Sequence, residues 1–251
     1  MIYYWFVLGA AIGSFLNVLI HRLPRGESIV FPSSYCPSCR SRILSIDLVP
    51  ILGYFFLLGR CRKCKAPISF RYPLVEIIAG TLFTLTWIFT GGEYLSFFFF
   101  LIFISAAIVL FFIDLEQQVI PDSVSFPVIV CGLIFNYIRS SFFSALIGAV
   151  LGFIFLFFIS QLGKYWYKKE VMGEGDWMMA AMLGAFLGWD GVLLALFLAF
   201  LLAATVAIIL LIFKKAKFGQ MIPFGPALAA GGLIVLYWGE PIIKWYGRLI
   251  F

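Results

Sequence analysis

The sequence predicts an all-α polytopic membrane protein of about eight transmembrane helices with a small cytoplasmic lobe. Three observations predict it. The 251-residue chain is 63% hydrophobic and only 12% charged, and its mean hydropathy is +1.07; soluble domains carry about a quarter of their residues as charges. Its apolar residues fall into runs near the roughly 20 residues that cross a bilayer as a helix. Its basic residues sit in short clusters between those runs, where membrane proteins carry them. A 28.3 kDa globule has too little interior to hide this much apolar surface. Soluble enzymes, disordered chains and secreted disulfide scaffolds are excluded, and the bilayer is the expected surrounding. The net charge of +6 does not signal nucleic acid, because the charges are split among the loops.

The first span is expected at about 2–20. A cleaved signal peptide is the alternative, but no basic residue precedes the apolar run and the positive charge follows it, at Arg22 and Arg25. Residues 21–72 are read as a polar, turn-rich lobe. Residues 73–251 are read as the rest of the bundle, with apolar stretches at about 73–92, 96–113, 123–138, 142–163, 176–189, 191–213 and 222–239. The 123–138 and 176–189 stretches are short and fit tilted, broken or re-entrant segments. Residues 241–251 are too short to cross and are expected at an interface. With the N-terminus outside, the loops 21–72, 164–175 and 214–221 face the cytoplasm and hold 15 of the 18 Lys/Arg, the asymmetry that orients membrane proteins. Among them are Lys164, Lys168, Lys169, Lys214, Lys215 and Lys217. Arg139, Lys244 and Arg248 fall on the other side.

Four of the five cysteines form two C-x2-C pairs, Cys36/Cys39 and Cys61/Cys64. Such pairs resemble the knuckles of a small zinc lobe, since four thiolates can surround Zn²⁺ tetrahedrally. Arg40, Arg60, Arg62, Lys63 and Lys65 would offset the charge, and a lobe this small has little core of its own. Disulfides or free thiols are the alternative; a cytoplasmic position disfavours disulfides. Four thiolates leave no open position for catalysis. Cys131 lies in an apolar run and is expected to pack there.

Acidic residues within or beside spans are functional candidates, because charge at membrane depth is costly. They are Glu76, Asp114, Glu116, Asp122, Glu174, Asp176 and Asp190. Asp114 follows a long apolar run, and Asp176 closes Gly173-Glu174-Gly175-Asp176 ahead of another. The expected orientation puts both at the cytoplasmic end of a span. If they meet in a low-dielectric site, they cannot both ionise easily and share one proton. The charged partner then activates water while the protonated one polarises a peptide carbonyl. Gly173 and Gly175 would let the backbone approach a substrate strand or take positive φ. The alternative is capping: Asp176 before WMMAAML and Asp122 after Pro121 both suit a helix start.

Read in order, GSFLNVLIHRLP (13–24), the cysteine pairs, RYPLVEIIAG (71–80), IDLEQQVIPD (113–122), MGEGDWMMAAMLGAFLGW (172–189) and PFGP (223–226) resemble the type IV prepilin peptidase family. These are the polytopic GxGD aspartyl proteases of pilus, competence and type II secretion systems. The resemblance spans nearly the whole chain. It implies a catalytic pair at Asp114 and Asp176. It also implies cleavage of a short basic leader from prepilin or pseudopilin precursors, after a glycine, at the cytoplasmic face of the bacterial inner membrane. Many members also methylate the new N-terminus with S-adenosylmethionine, and the four-cysteine lobe is typical of those. Glu27, Asp47, Glu116, Glu170 and Glu174 are candidate partners for the basic leader. Many members carry a lysine two residues after the GxGD aspartate, where this chain has Met178; that touches local charge and not the carboxylates. Asp122 is assigned a supporting role at its helix start, and Glu76 structural pairing with Arg71 or another cytoplasmic base, or a part in methyl transfer. His21, beside Arg22, is expected at an interface. No glycine-rich dinucleotide fingerprint follows a strand, so an S-adenosylmethionine site must be built otherwise. The rival class is a transporter or proton relay, which needs carboxylates spread along a path and not clustered at one face.

Overall fold

The computed structural model of the chain describes residues 2–168, 172–215 and 220–250. Lys169, Glu170 and Lys217, used in the loop-charge and leader arguments, lie outside the described residues. Among the described residues eight α-helices run in order: α1 (Ile2–Arg22), α2 (Leu52–Phe56), α3 (Arg71–Phe89), α4 (Tyr94–Gln117), α5 (Asp122–Ile138), α6 (Phe142–Tyr167), α7 (Glu174–Ile212) and α8 (Gly225–Ile250). Among the described residues there is no strand beyond two isolated bridges, Tyr35 with Arg42 and Arg60 with Pro67. Among the described residues six helices are long and apolar enough to cross a bilayer; α5 is a shorter apolar helix of 17 residues.

The expected stretches 176–189 and 191–213 join in the 39-residue α7, which is broken at Gly188 (φ 75°, ψ −178°). A Cβ placed on Gly152 of α6 would lie 2.5 Å from the Ala180 oxygen and 3.1 Å from Val192 Cγ2. Residues twelve apart in a straight helix would be about 18 Å apart along its axis, so α7 folds back on itself at the break. Glycine fits because only it takes this φ without strain. Residues 241–250 continue α8, which carries Pro241 inside it.

The chain forms two compact units, Met1–Val109 and Leu110–Phe251. In the first, α1 packs along α3. Gly13 of α1 faces the backbone of α3, where an added Cβ would sit 2.8 Å from Glu76 Cα; small residues allow the close helix contact that dispersion rewards in a bilayer. Asn17 ties the same pair by donating to the Tyr72 carbonyl at 3.1 Å. In the second unit α7 packs against α5, α6 and α8. Asn136 of α5 is buried and donates to the Ala185 and Phe186 carbonyls at 2.9 and 3.3 Å, groups that the break in α7 would otherwise strand. Cys131 is half-buried in α5.

Candidate active site

Three inter-helix junctions of the second unit meet at one cleft of about 90 Å³, lined by Asp114, Gln118, Ile120, Met172, Gly173, Gly175, Asp176 and residues 221–224. Asp114 comes from the last turn of α4 and Asp176 from the first turn of α7. The two expected carboxylates are therefore brought together, at 5% and 7% exposure, and within electrostatic reach of each other. Burial of two carboxylates in one cleft demands compensation. Each has one backbone donor. Asp114 Oδ2 accepts from Gly225 N–H at 2.8 Å, at the first residue of α8. Asp176 Oδ2 accepts from Gly173 N–H at 3.1 Å, which is half of a capping box. Asp176 Oδ1 is buried with no hydrogen-bond partner. The capping alternative thus accounts for one oxygen of Asp176 and leaves the other to the cleft.

Gly175 is required by space. A Cβ there would fall 2.4 Å from Ile120 Cβ and 2.7 Å from Ile120 O, so a larger residue would push the 118–121 connection off the start of α7. Neither Gly173 nor Gly175 takes positive φ; Gly173 is extended, at φ −72°. Asp122 opens α5 without a side-chain capping bond, where its charge still favours the helix N-terminus. It is exposed and does not line the cleft. Gly225, the donor to Asp114, entered the sequence expectations only as part of PFGP. Its signal was present: glycine before Pro226 marks a helix start with a free N–H.

The four cysteines lie in the first unit. Their Sγ atoms are all within 4.8 Å of one another, and none forms a disulfide. Both pairs sit in the same tight turn: Cys36 N–H bonds Ser41 O and Arg40 N–H bonds Cys36 O, as Cys61 N–H bonds Ala66 O and Lys65 N–H bonds Cys61 O. Arg40 and Lys65 both take positive φ, 54° and 60°. Zn–S bonds of about 2.3 Å place tetrahedral sulfurs about 3.8 Å apart, and Cys36 Sγ lies 3.8 Å from Cys64 Sγ. The Ser41 hydroxyl, 3.0 Å from Cys39 Sγ, brings that thiol down to about 6. The quartet fits a zinc ion. Of the bases expected to balance it, Arg62 instead pairs with Asp47, through Nε at 2.9 Å. Glu76, buried in α3, accepts from the Ile51 backbone N–H at 2.6 Å and from the Ser14 side chain.

Two family models match the chain in succession. The Bacterial Peptidase A24 N-terminal domain family matches residues 7–90, and the Type IV leader peptidase family matches residues 101–208. The prepilin leader peptidase/N-methyltransferase of Aeromonas hydrophila is 36% identical over 96% of this chain and 92% of its own. That of Pseudomonas aeruginosa is 36% identical over 96% and 91%, and that of Neisseria gonorrhoeae 35% over 96% and 92%. No solved structure gives a significant match. With both family domains in sequence and relatives alike over nearly their full length, the chain belongs to the type IV leader peptidase family.

Proposed function

We propose that this chain is a membrane-embedded aspartic endopeptidase that removes the leader from type IV prepilin-like precursors and methylates the new N-terminus. The observation that carries the reading is the burial of Asp114 and Asp176 in one cleft, each anchored by a single backbone N–H. The pair shares one proton. The ionised member takes a proton from water as that water attacks the scissile carbonyl carbon, and the protonated member gives its proton to the carbonyl oxygen. When the tetrahedral intermediate collapses, the C–N bond breaks and the leaving amine takes up a proton from the dyad. No acyl-enzyme forms. Gly225 and Gly173 hold the carboxylates in place throughout.

The cleft faces the cytoplasm in this reading, with the N-terminus outside. Support comes from Lys164, Lys168, Lys214 and Lys215, which flank the ends of α6 and α7 beside the connections that build the cleft. A precursor helix lying in the bilayer would present its scissile bond at that depth. Residues 1–20 serve as the first span, 21–72 as the lobe with structural zinc on Cys36, Cys39, Cys61 and Cys64, and 73–251 as the bundle. The methyl group comes from S-adenosylmethionine as a second substrate, a reading supported by the N-methyltransferase names of the relatives.

The test uses Asp114→Asn and Asp176→Asn separately, with mass spectrometry of a prepilin before and after incubation. Each variant should lose cleavage while melting like the parent. A variant that folds and still cuts at the parent rate overturns the dyad. Methylation is read from transfer of labelled methyl to the cut product; cleavage without transfer removes that half.

A further inference from the structure

Within the lobe, residues 48–59 (LVPILGYFFLLG) form an uncharged apolar run that is too short to span and of the length that suits a re-entrant or interfacial segment. The structure does not bury it. Phe56 is 80% and Leu58 85% exposed, and Ile46, Leu52 and Phe55 are exposed as well. In a lobe surrounded by water, such a patch is a docking surface. We infer that α2 and its flanks dock this lobe on the anionic phospholipid surface of the bilayer that α1 and α3 cross.

Depth supports the assignment. α3 has 19 residues, about 28 Å, just the hydrocarbon thickness. Arg71 therefore sits at the boundary, and Glu76 about 7 Å inside it by helix rise. Ile51 N–H is bonded to Glu76 Oε2 at 2.6 Å. That bond holds the turn preceding α2 at the depth where interfacial helices lie. Ile51 takes φ 63°, ψ −57°, a costly conformation for a β-branched residue, so the anchor over-determines the position of the turn. Gly53 keeps α2 against the preceding 3₁₀ turn (Ser45–Leu48): a Cβ there would lie 2.2 Å from Asp47 O.

Charge selects the occupant. The apolar run leads directly into exposed Arg60, Lys63 and Lys65, and Arg40 and Arg42 are exposed in the other knuckle. A basic leader peptide would be repelled by this surface, whereas anionic headgroups are attracted to it. The inference rests on the membrane reading of α1 and α3 and is independent of the peptidase reading.

The full chain is reconstituted in nanodiscs of phosphatidylglycerol mixed with phosphatidylethanolamine, carrying Phe56→p-benzoylphenylalanine. Leu58→p-benzoylphenylalanine is the second variant, should the first fold poorly, and Phe143→p-benzoylphenylalanine in α6 is the lipid-facing control. After irradiation, the peptide holding residue 56 or 58 should gain the mass of one phospholipid, as the control does. The yield should fall when phosphatidylcholine replaces the anionic lipid. Adducts at 143 with none at 56 or 58, or crosslinks there to a second copy, to another part of this chain or to an added prepilin, overturn the inference. Equal yields in the two lipids overturn the assignment to anionic headgroups.

Discussion

The N–H of Gly225 donates to Asp114 Oδ2 at 2.8 Å across 111 positions of sequence, so the start of α8 fixes the carboxylate at the end of α4. The contact leaves no room: a Cβ on Gly225 would lie 2.7 Å from that oxygen and 3.0 Å from Asp114 Cβ and Cγ.

Gly225→Ala should therefore displace Asp114 and spare the helices. A misplacement of about 1 Å in a reacting group costs on the order of 10²-fold in rate. Cleavage of a prepilin in detergent should drop by that order in kcat, with KM little changed and melting close to the parent's. A variant with parental kcat would show that this N–H does not position the carboxylate.

Much of this was legible in the sequence, and what was not has a common cause. The apolar runs located the spans because span length and hydropathy are local properties. Asp114 and Asp176 stood out because charge beside an apolar run is costly, and the cysteine spacing declared its own geometry. The Gly225–Asp114 tether pairs residues from distant helices and leaves no periodic trace. The bond from Ile51 N–H to Glu76 likewise joins distant positions, through a backbone group that every residue but proline carries. Residues 48–59 were absorbed into a lobe read as polar from its charge count, although the apolar run was visible. The break in α7 falls at Gly188 in Gly188-Trp189-Asp190-Gly191, between the stretches expected at 176–189 and 191–213, which the structure joins in one helix because the helical bonding continues almost through the turn.

Metal content tests the lobe directly. Purified protein should carry about one zinc per chain, and stripping it with a chelator should loosen residues 33–67, because metal binding and local folding are the same free energy in so small a unit. Cys39→Ser should lower the zinc content and raise amide exchange across both knuckles. Full zinc with Cys39→Ser, or no change in exchange on chelation, would remove the structural role.

The ion pair in the same lobe gives a pH prediction. The Arg62 guanidinium hydrogen-bonded to Asp47 holds that carboxyl below the usual carboxylate range. The folded lobe then binds a proton there less readily than the unfolded chain. Its contribution is present above about pH 4, the ordinary aspartate value, and is lost as pH falls through the lowered folded value. Asp47→Asn, compared with the parent in excess zinc, should raise exchange of residues 44–62 at neutral pH, with the difference closing in acid. The effect should be small and shrink with salt, since Arg62 is half exposed. A difference that grows in acid would contradict the pairing.

The fold-back of α7 depends on Asn136, whose amide donates to the Ala185 and Phe186 carbonyls just before the break. Asn136→Leu keeps the branching at Cγ, adds some bulk, and leaves both carbonyls without that donor in an apolar surrounding. Interhelical hydrogen bonds in membranes are worth about 1 kcal/mol, roughly 2–4 °C of melting temperature in a chain of this size. Gly188→Ala should cost more. It must hold φ at 75° and set a Cβ 2.6 Å from Ser144 Oγ, so strain and overlap act together. Asp176 lies on the arm that this turn positions, which ties packing to chemistry. Both variants should lower prepilin cleavage in proportion to the loss of melting temperature. If Asn136→Leu melts like the parent, the carbonyls have found other donors and the side chain does not hold the turn.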